Sequence, residues 1–211
     1  MADTVNKVKP TWELTVRDFF VHFKANEATG GAETDMQMPV IKELRVQPNE
    51  NTKSIYASGV VYDTVTQLAE SKAGLTAVAL PREFTDRALG AKNKGAVSYD
   101  TVLPVKEEFA CGYWCENQDG SATYYYHPRC KLVQSDQTHK TWDASQTVDP
   151  SVAYDILLLG TDEKVWRVRY FTASVEEGKI PLTPAEFFAL HPETIDDIEA
   201  IPGTEKAKTA Q

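Results

Sequence analysis

The chain has 211 residues, 42% of them apolar, and a formal net charge of −9. That is enough apolar material for one large domain or a domain with an appendage, and the acidic balance argues against a surface that grips nucleic acid. No run of about 18 apolar residues is present to span a membrane, the opening MADTVNKVKP lacks the apolar stretch of a secretory signal, and three cysteines do not suggest a disulfide framework, so a reducing folding compartment is expected.

Residues 1–10 are polar. WELTV then alternates, with Trp12, Leu14 and Val16 on one face, and predicts a first strand that stays apolar through Phe23. EATGGAETDM (27–36) has loop composition, and VIKELRV (40–46) predicts a second strand. SIYASGVVYDTVTQLAESK (54–72) carries strand formers interrupted by Ser-Gly. It is expected to be a long excursion between strands with short β pieces, and long excursions in a compact domain are usually functional or disordered.

GLTAVALPREFTDRALG (74–90) predicts a strand over 75–80 and a short helix over 81–90. Pro81 suits the first turn, Glu83 sits near the positive helix end, and Gly90 is a C-terminal stop. So short a helix is unstable alone, so Phe84, Ala88 and Leu89 are expected to pack on a sheet. AVSYDTVLPVKEEFACGYWCE (96–116) and SATYYYHPRCKLV (121–133) are strand-rich. The stretches 152–160 and 165–175 are expected to form a final antiparallel pair, with Trp166, Val168 and Tyr170 on one face. Further on, Thr183, Pro184 and Glu186 make a capping-box pattern ahead of the apolar Phe187, Phe188 and Leu190. From residue 171 onward there are eight acids against three lysines, so this end carries much of the negative charge.

All three cysteines fall in 111–130, with His127 among them. Asp119-Gly120 is a two-residue hairpin signal. A type I′ turn there pairs Cys115 with Tyr124, Tyr113 with Tyr126 and Phe109 with Cys130, and sends His127 to the opposite face. Cys111 and Cys115 would then be roughly 13 Å apart on one strand, too far for one zinc ion. The thiols are expected to be small apolar fillers between aromatic neighbours, and Pro128 to mark an edge, a bulge or a strand end. No nucleophile elbow, phosphate loop or His-Glu-x-x-His pattern is present, and His22, His127, His139 and His191 are isolated in sequence. No enzyme, cofactor or metal is expected.

The order and spacing of these parts resemble the major tail tube proteins of long, non-contractile-tailed bacteriophages. The resemblance covers about 44–174: SIYASGVVYDTV at the start of the long loop, GLTAVALPREFTDRALG as strand, Leu-Pro and helix, the hairpin with its aromatic return strand, and KTWDAS before the closing strands. The family often has Asp before Leu-Pro, where this chain has Ala79, and Leu-Leu-Gly at the helix end, where it has Ala88-Leu89-Gly90.

The resemblance implies a mainly β, two-sheet β-sandwich or barrel-like tail tube domain over 1–175 with one flanking helix, followed by a 176–211 extension. It implies a structural virion protein, assembled in the host cytoplasm into stacked hexameric rings. Its expected partners are copies of itself and tail proteins such as the tape measure and terminator, with genomic DNA passing through the lumen unbound and no membrane contact. The loop over about 47–72 would reach the next ring through Ile55, Tyr56, Val60, Val61 and Tyr62. The rival expectation is a receptor- or carbohydrate-binding β-sandwich using Trp114 and Tyr124–Tyr126 as a stacking platform.

Overall fold

The structure, a computed structural model, describes residues 11–26, 31–39, 41–57, 60–134, 151–175 and 179–202; for 56–57, 60–62 and 65–68 it describes the backbone alone. The molecule is mainly β, and its sheets do not close into a barrel. The strands are β1 (Glu13–Phe23), β2 (Thr34–Met38), β3 (Ile41–Gln47), β4 (Glu50–Ala57), β5 (Val60–Leu68), β6 (Ser71–Ala77), β7 (Lys92–Lys94), β8 (Val97–Tyr99), β9 (Phe109–Asn117), β10 (Ala122–Val133), β11 (Val152–Leu159) and β12 (Val168–Phe171). The helices are α1 (Arg82–Leu89), α2 (Pro184–Phe188) and α3 (Ile195–Glu199).

The path β2-β1-β9-β10-β11-β6-β3, with β12 also on β10, is one eight-stranded sheet; β4-β5 and β7-β8 are separate two-stranded ribbons. The main body is therefore one hydrogen-bonded sheet where the tail-tube resemblance implies two. The strands β2 and β3 sit at opposite ends of this path, yet only residues 39 and 40 separate them in the chain. The sheet must curl until its ends approach. Inside the curl lie Phe19, Val21 and Phe23 from β1, Leu75 from β6, Leu132 from β10 and Ile156 from β11. Apolar side chains at alternate strand positions give each strand one face to bury, and curling lets these faces share one core.

Helix α1 packs on that core. Phe84 and Ala88 are fully buried, and Leu89 packs at its margin. Pro81 is the N-cap rather than the first helical residue. Gly90 takes the left-handed conformation with φ 78°, and a β-carbon there would lie 2.5 Å from the Val105 carbonyl oxygen. Both constraints favour glycine.

Three sequence expectations are corrected. The first concerns the hairpin. Gly120 N–H donates to Asn117 O (3.0 Å) and Asn117 N–H to Ser121 O (2.9 Å), and of the two turn residues only Gly120 has positive φ. That is a three-residue loop, so the register moves by one: Cys115 faces Thr123, Trp114 faces Tyr124, and His127 faces Cys111. Beyond a bulge at Pro128, Cys130 faces Phe109. The second concerns β11 and β12, which do not pair with each other. They lie end to end along one edge of β10, at 129–133 and 123–126 respectively. The third is β2, which occupies residues whose composition reads partly as loop; Met36 and Met38 turn into the core.

The face of β1, β9 and β10 that points away from the curl is also apolar. It carries Phe20, Ala110, Trp114, Tyr124 and Tyr126, and α2 covers it with Phe187 and Phe188. Thr183 caps α2 through a complete capping box with Glu186, with Pro184 at the first helical position; Thr194 and Asp197 repeat the motif at α3. The C-terminal segment thus forms a second layer on the sheet.

Candidate functional site

The segment between β3 and β6 is a long hairpin. β4 and β5 pair from Glu50↔Leu68 to Ala57↔Val60, with a bulge after Ile55↔Asp63. Neither strand belongs to the main sheet. Ile55 is 44% exposed. Tyr56, Val60, Val61 and Tyr62 are placed here by their backbone in β4 and β5, and their side chains lie outside the described residues. Among the described residues, the ribbon is a two-stranded arm without a third strand to complete it. Such a hairpin is marginal in isolation.

A second exposed apolar feature follows β8. Val102 and Leu103 are 98% and 87% exposed, and Val105 is also exposed. Burying such side chains against a partner contributes roughly 1.5–3 kcal/mol each. The strands β2 and β3 end the hydrogen-bonded path, so each has one edge without a described strand beside it.

The aromatic platform of the rival reading does not form an open cleft. The corrected register turns Trp114, Tyr124 and Tyr126 toward the C-terminal helices. Tyr124 and Tyr126 are buried, and the Tyr124 hydroxyl donates to the Leu182 carbonyl (2.9 Å). Tyr125 lies on the other face, stacked on Tyr113 at 4.9 Å between centroids. The cysteines are buried and free. Cys111 and Cys130 have Sγ atoms 3.4 Å apart, while Cys115 sits further along β9. Burial pushes the Cys115 thiol up to about 12 and the Cys130 thiol well above its ordinary value, so neither is a ready thiolate.

The structure also joins residues that are isolated in sequence. His22 on β1 lies directly across from Asp35 on β2, and Nδ1 is 2.7 Å from Asp35 Oδ1. His191, in the turn after α2, stacks on His22 with centroids 3.7 Å apart, and its Nε2 is 3.5 Å from the same carboxylate oxygen. His191 has a positive φ of 45°. Docking of Phe187 and Phe188 carries it there. Single-sequence reasoning has no signal for this contact, because 156 positions separate Asp35 from His191.

Comparison with protein-family models and with curated proteins finds no match. No described helix is long and apolar enough to cross a membrane.

Proposed function

We propose that this chain is a structural, self-assembling protein of the tail tube type, whose copies form hexameric rings that stack into a conduit for DNA, with no catalytic role. The tail-tube form of the fold is part of this proposal. The observation that carries it is the β4–β5 ribbon: an arm of two strands, excluded from the main sheet, with an exposed Ile55. A neighbouring copy would give this arm the additional strand or apolar surface that three-stranded stability requires. The edges of β2 and β3 that have no described strand beside them supply a means of lateral pairing, because exposed strand edges are templates for another chain. Exposed Val102, Leu103 and Val105 add apolar area for the same purpose. The net charge of −9 suits a wall past which DNA moves without sticking.

The test is to delete residues 54–64 and join Lys53 to Val65 through Asn-Gly, which preserves the base of the ribbon, where Lys53 and Val65 pair. The expected product folds, as judged by circular dichroism, but no longer forms tubes under conditions where the full chain does. Tubes of unchanged length from the shortened chain would remove the ribbon from the assembly account.

A further inference from the structure

We propose that His22, Asp35 and His191 form a zinc-binding site that fastens the C-terminal segment to strands β1 and β2. The inference is independent of the assembly reading.

The three residues offer one ligand atom each, all within 4.8 Å of one another. A tetrahedral zinc site with bonds of about 2.0–2.1 Å places its ligand atoms about 3.3 Å apart. The distances from Asp35 Oδ1, 2.7 Å to His22 Nδ1 and 3.5 Å to His191 Nε2, bracket that spacing. The two rings stack with their planes 27° apart, so admitting the ion requires the imidazoles to turn out of the stack until Nδ1 of His22 and Nε2 of His191 aim at one point. Two imidazoles and a carboxylate are a donor set suited to zinc and leave a fourth position for water.

The surroundings fit a cation. With His22 Nδ1 on the metal, its Nε2 faces Glu33, whose Oε1 is 3.9 Å away. A carboxylate hydrogen-bonded behind a ligating histidine is the usual outer support of such a site, a role Glu33 would fill on closing from its present distance, which is beyond hydrogen-bond range. A cleft of about 340 Å³ borders both histidines, with Glu33, Glu193, Asp197 and Lys24 in its wall; Lys24 is paired with Glu193, which leaves Glu33 and Asp197 as the net negative charge. Buried His191 Nδ1 and Glu193 Oε1 have no hydrogen-bond partner among the described residues. Buried polar atoms in native proteins are nearly always satisfied, so these two point to a water held in the cleft beside the site, while His191 meets the ion through its other ring nitrogen, Nε2.

The ligands come from three elements. His22 and Asp35 are a cross-strand pair, and His191 belongs to the segment that covers the outer face. Binding would therefore close a loop between the second layer and the sheet, and a ligand that binds only the folded form raises its stability.

The test uses untagged full-length protein, stripped with a chelator, desalted, and titrated with Zn²⁺ against a chromophoric chelator. Co²⁺ absorption reports the geometry. One zinc per chain is expected, with a tetrahedral cobalt spectrum and a zinc-dependent rise in melting temperature. Asp35→Asn and His191→Ala should each weaken binding about ten-fold or more, while Asp155→Asn, an exposed carboxylate on β11, should not. Asp35 is largely exposed, so its replacement leaves the packing intact and the result readable even where His191→Ala loosens the segment. Absence of zinc binding by the folded wild type, or equal affinity in wild type and Asp35→Asn, would overturn the proposal.

Discussion

Gly112 on β9 lies directly beneath the ring of Phe188: a β-carbon on Gly112 would stand 2.2 Å from Phe188 Cε1 and 2.6 Å from Cδ1. Phe188 also stacks on Phe20, the cross-strand neighbour of Gly112, at 4.2 Å between centroids. The glycine is thus the seat of the C-terminal segment. Gly112→Ala should destabilise the protein by about 1–3 kcal/mol, the usual cost of forcing extra volume into a packed site. Phe188→Leu in the same chain should recover part of that loss, because the ring is what the methyl group meets. Denaturant unfolding of the two single variants and the double variant measures the coupling. Strictly additive effects would contradict the contact.

Stability should fall on mild acidification through His127. The side chain is fully enclosed; Nδ1 is 3.0 Å from the Trp166 carbonyl, and Nε2 has no partner among the described residues. Burial holds its pKa down at about 4, against an ordinary 6.5. Between those values the unfolded chain takes up a proton that the folded chain refuses. Its contribution is complete above pH 6.5 and declines as the pH falls toward 4, by on the order of 3 kcal/mol at most. The difference in unfolding free energy between wild type and His127→Gln, measured from pH 7.5 to 4, should follow that slope. A difference independent of pH would show that His127 titrates in the fold as it does in the unfolded chain.

Arg87 pins α1 to the start of the chain. Its guanidinium bonds the Glu107 carboxylate, Thr34 Oγ1 (3.2 Å) and the Lys24 carbonyl (3.2 Å), and it lies 4.3 Å from the centre of the Phe23 ring. Both members of the ion pair are largely buried. Arg87→Met removes the charge opposite a buried carboxylate and should cost about 3–5 kcal/mol. Adding Glu107→Leu should restore most of it. A single variant as stable as wild type would reduce the pair to a surface contact.

Much of this architecture was legible in the residues themselves. Helix α1 follows from Pro81, the Phe84–Ala88 spacing and Gly90, and α2 from Thr183, Pro184 and Glu186, because caps are local chemistry. The hairpin was legible but its register was not. Asp119-Gly120 suits two turn types that differ by one residue, and that single step decides which face Tyr124, Tyr126 and His127 occupy. A clue did exist: Gly112, inside an aromatic strand, marks a close approach by another group. The His22–Asp35–His191 cluster had no comparable clue, since it arises only when the C-terminal helices dock on the sheet.

The shortened ribbon separates the arm from the rest of the assembly account. With 54–64 removed, loss of tubes with retention of single rings would assign the arm to stacking, and loss of both would assign it to ring closure as well. An unchanged melting temperature is expected either way, since the ribbon stands outside the main sheet.

Self-assembly itself is tested most directly by negative-stain imaging of the purified, untagged protein over a wide concentration range. Rings with a central channel, stacking into tubes as concentration rises, are the predicted result. Isolated single chains at every concentration, confirmed by light scattering, would contradict it.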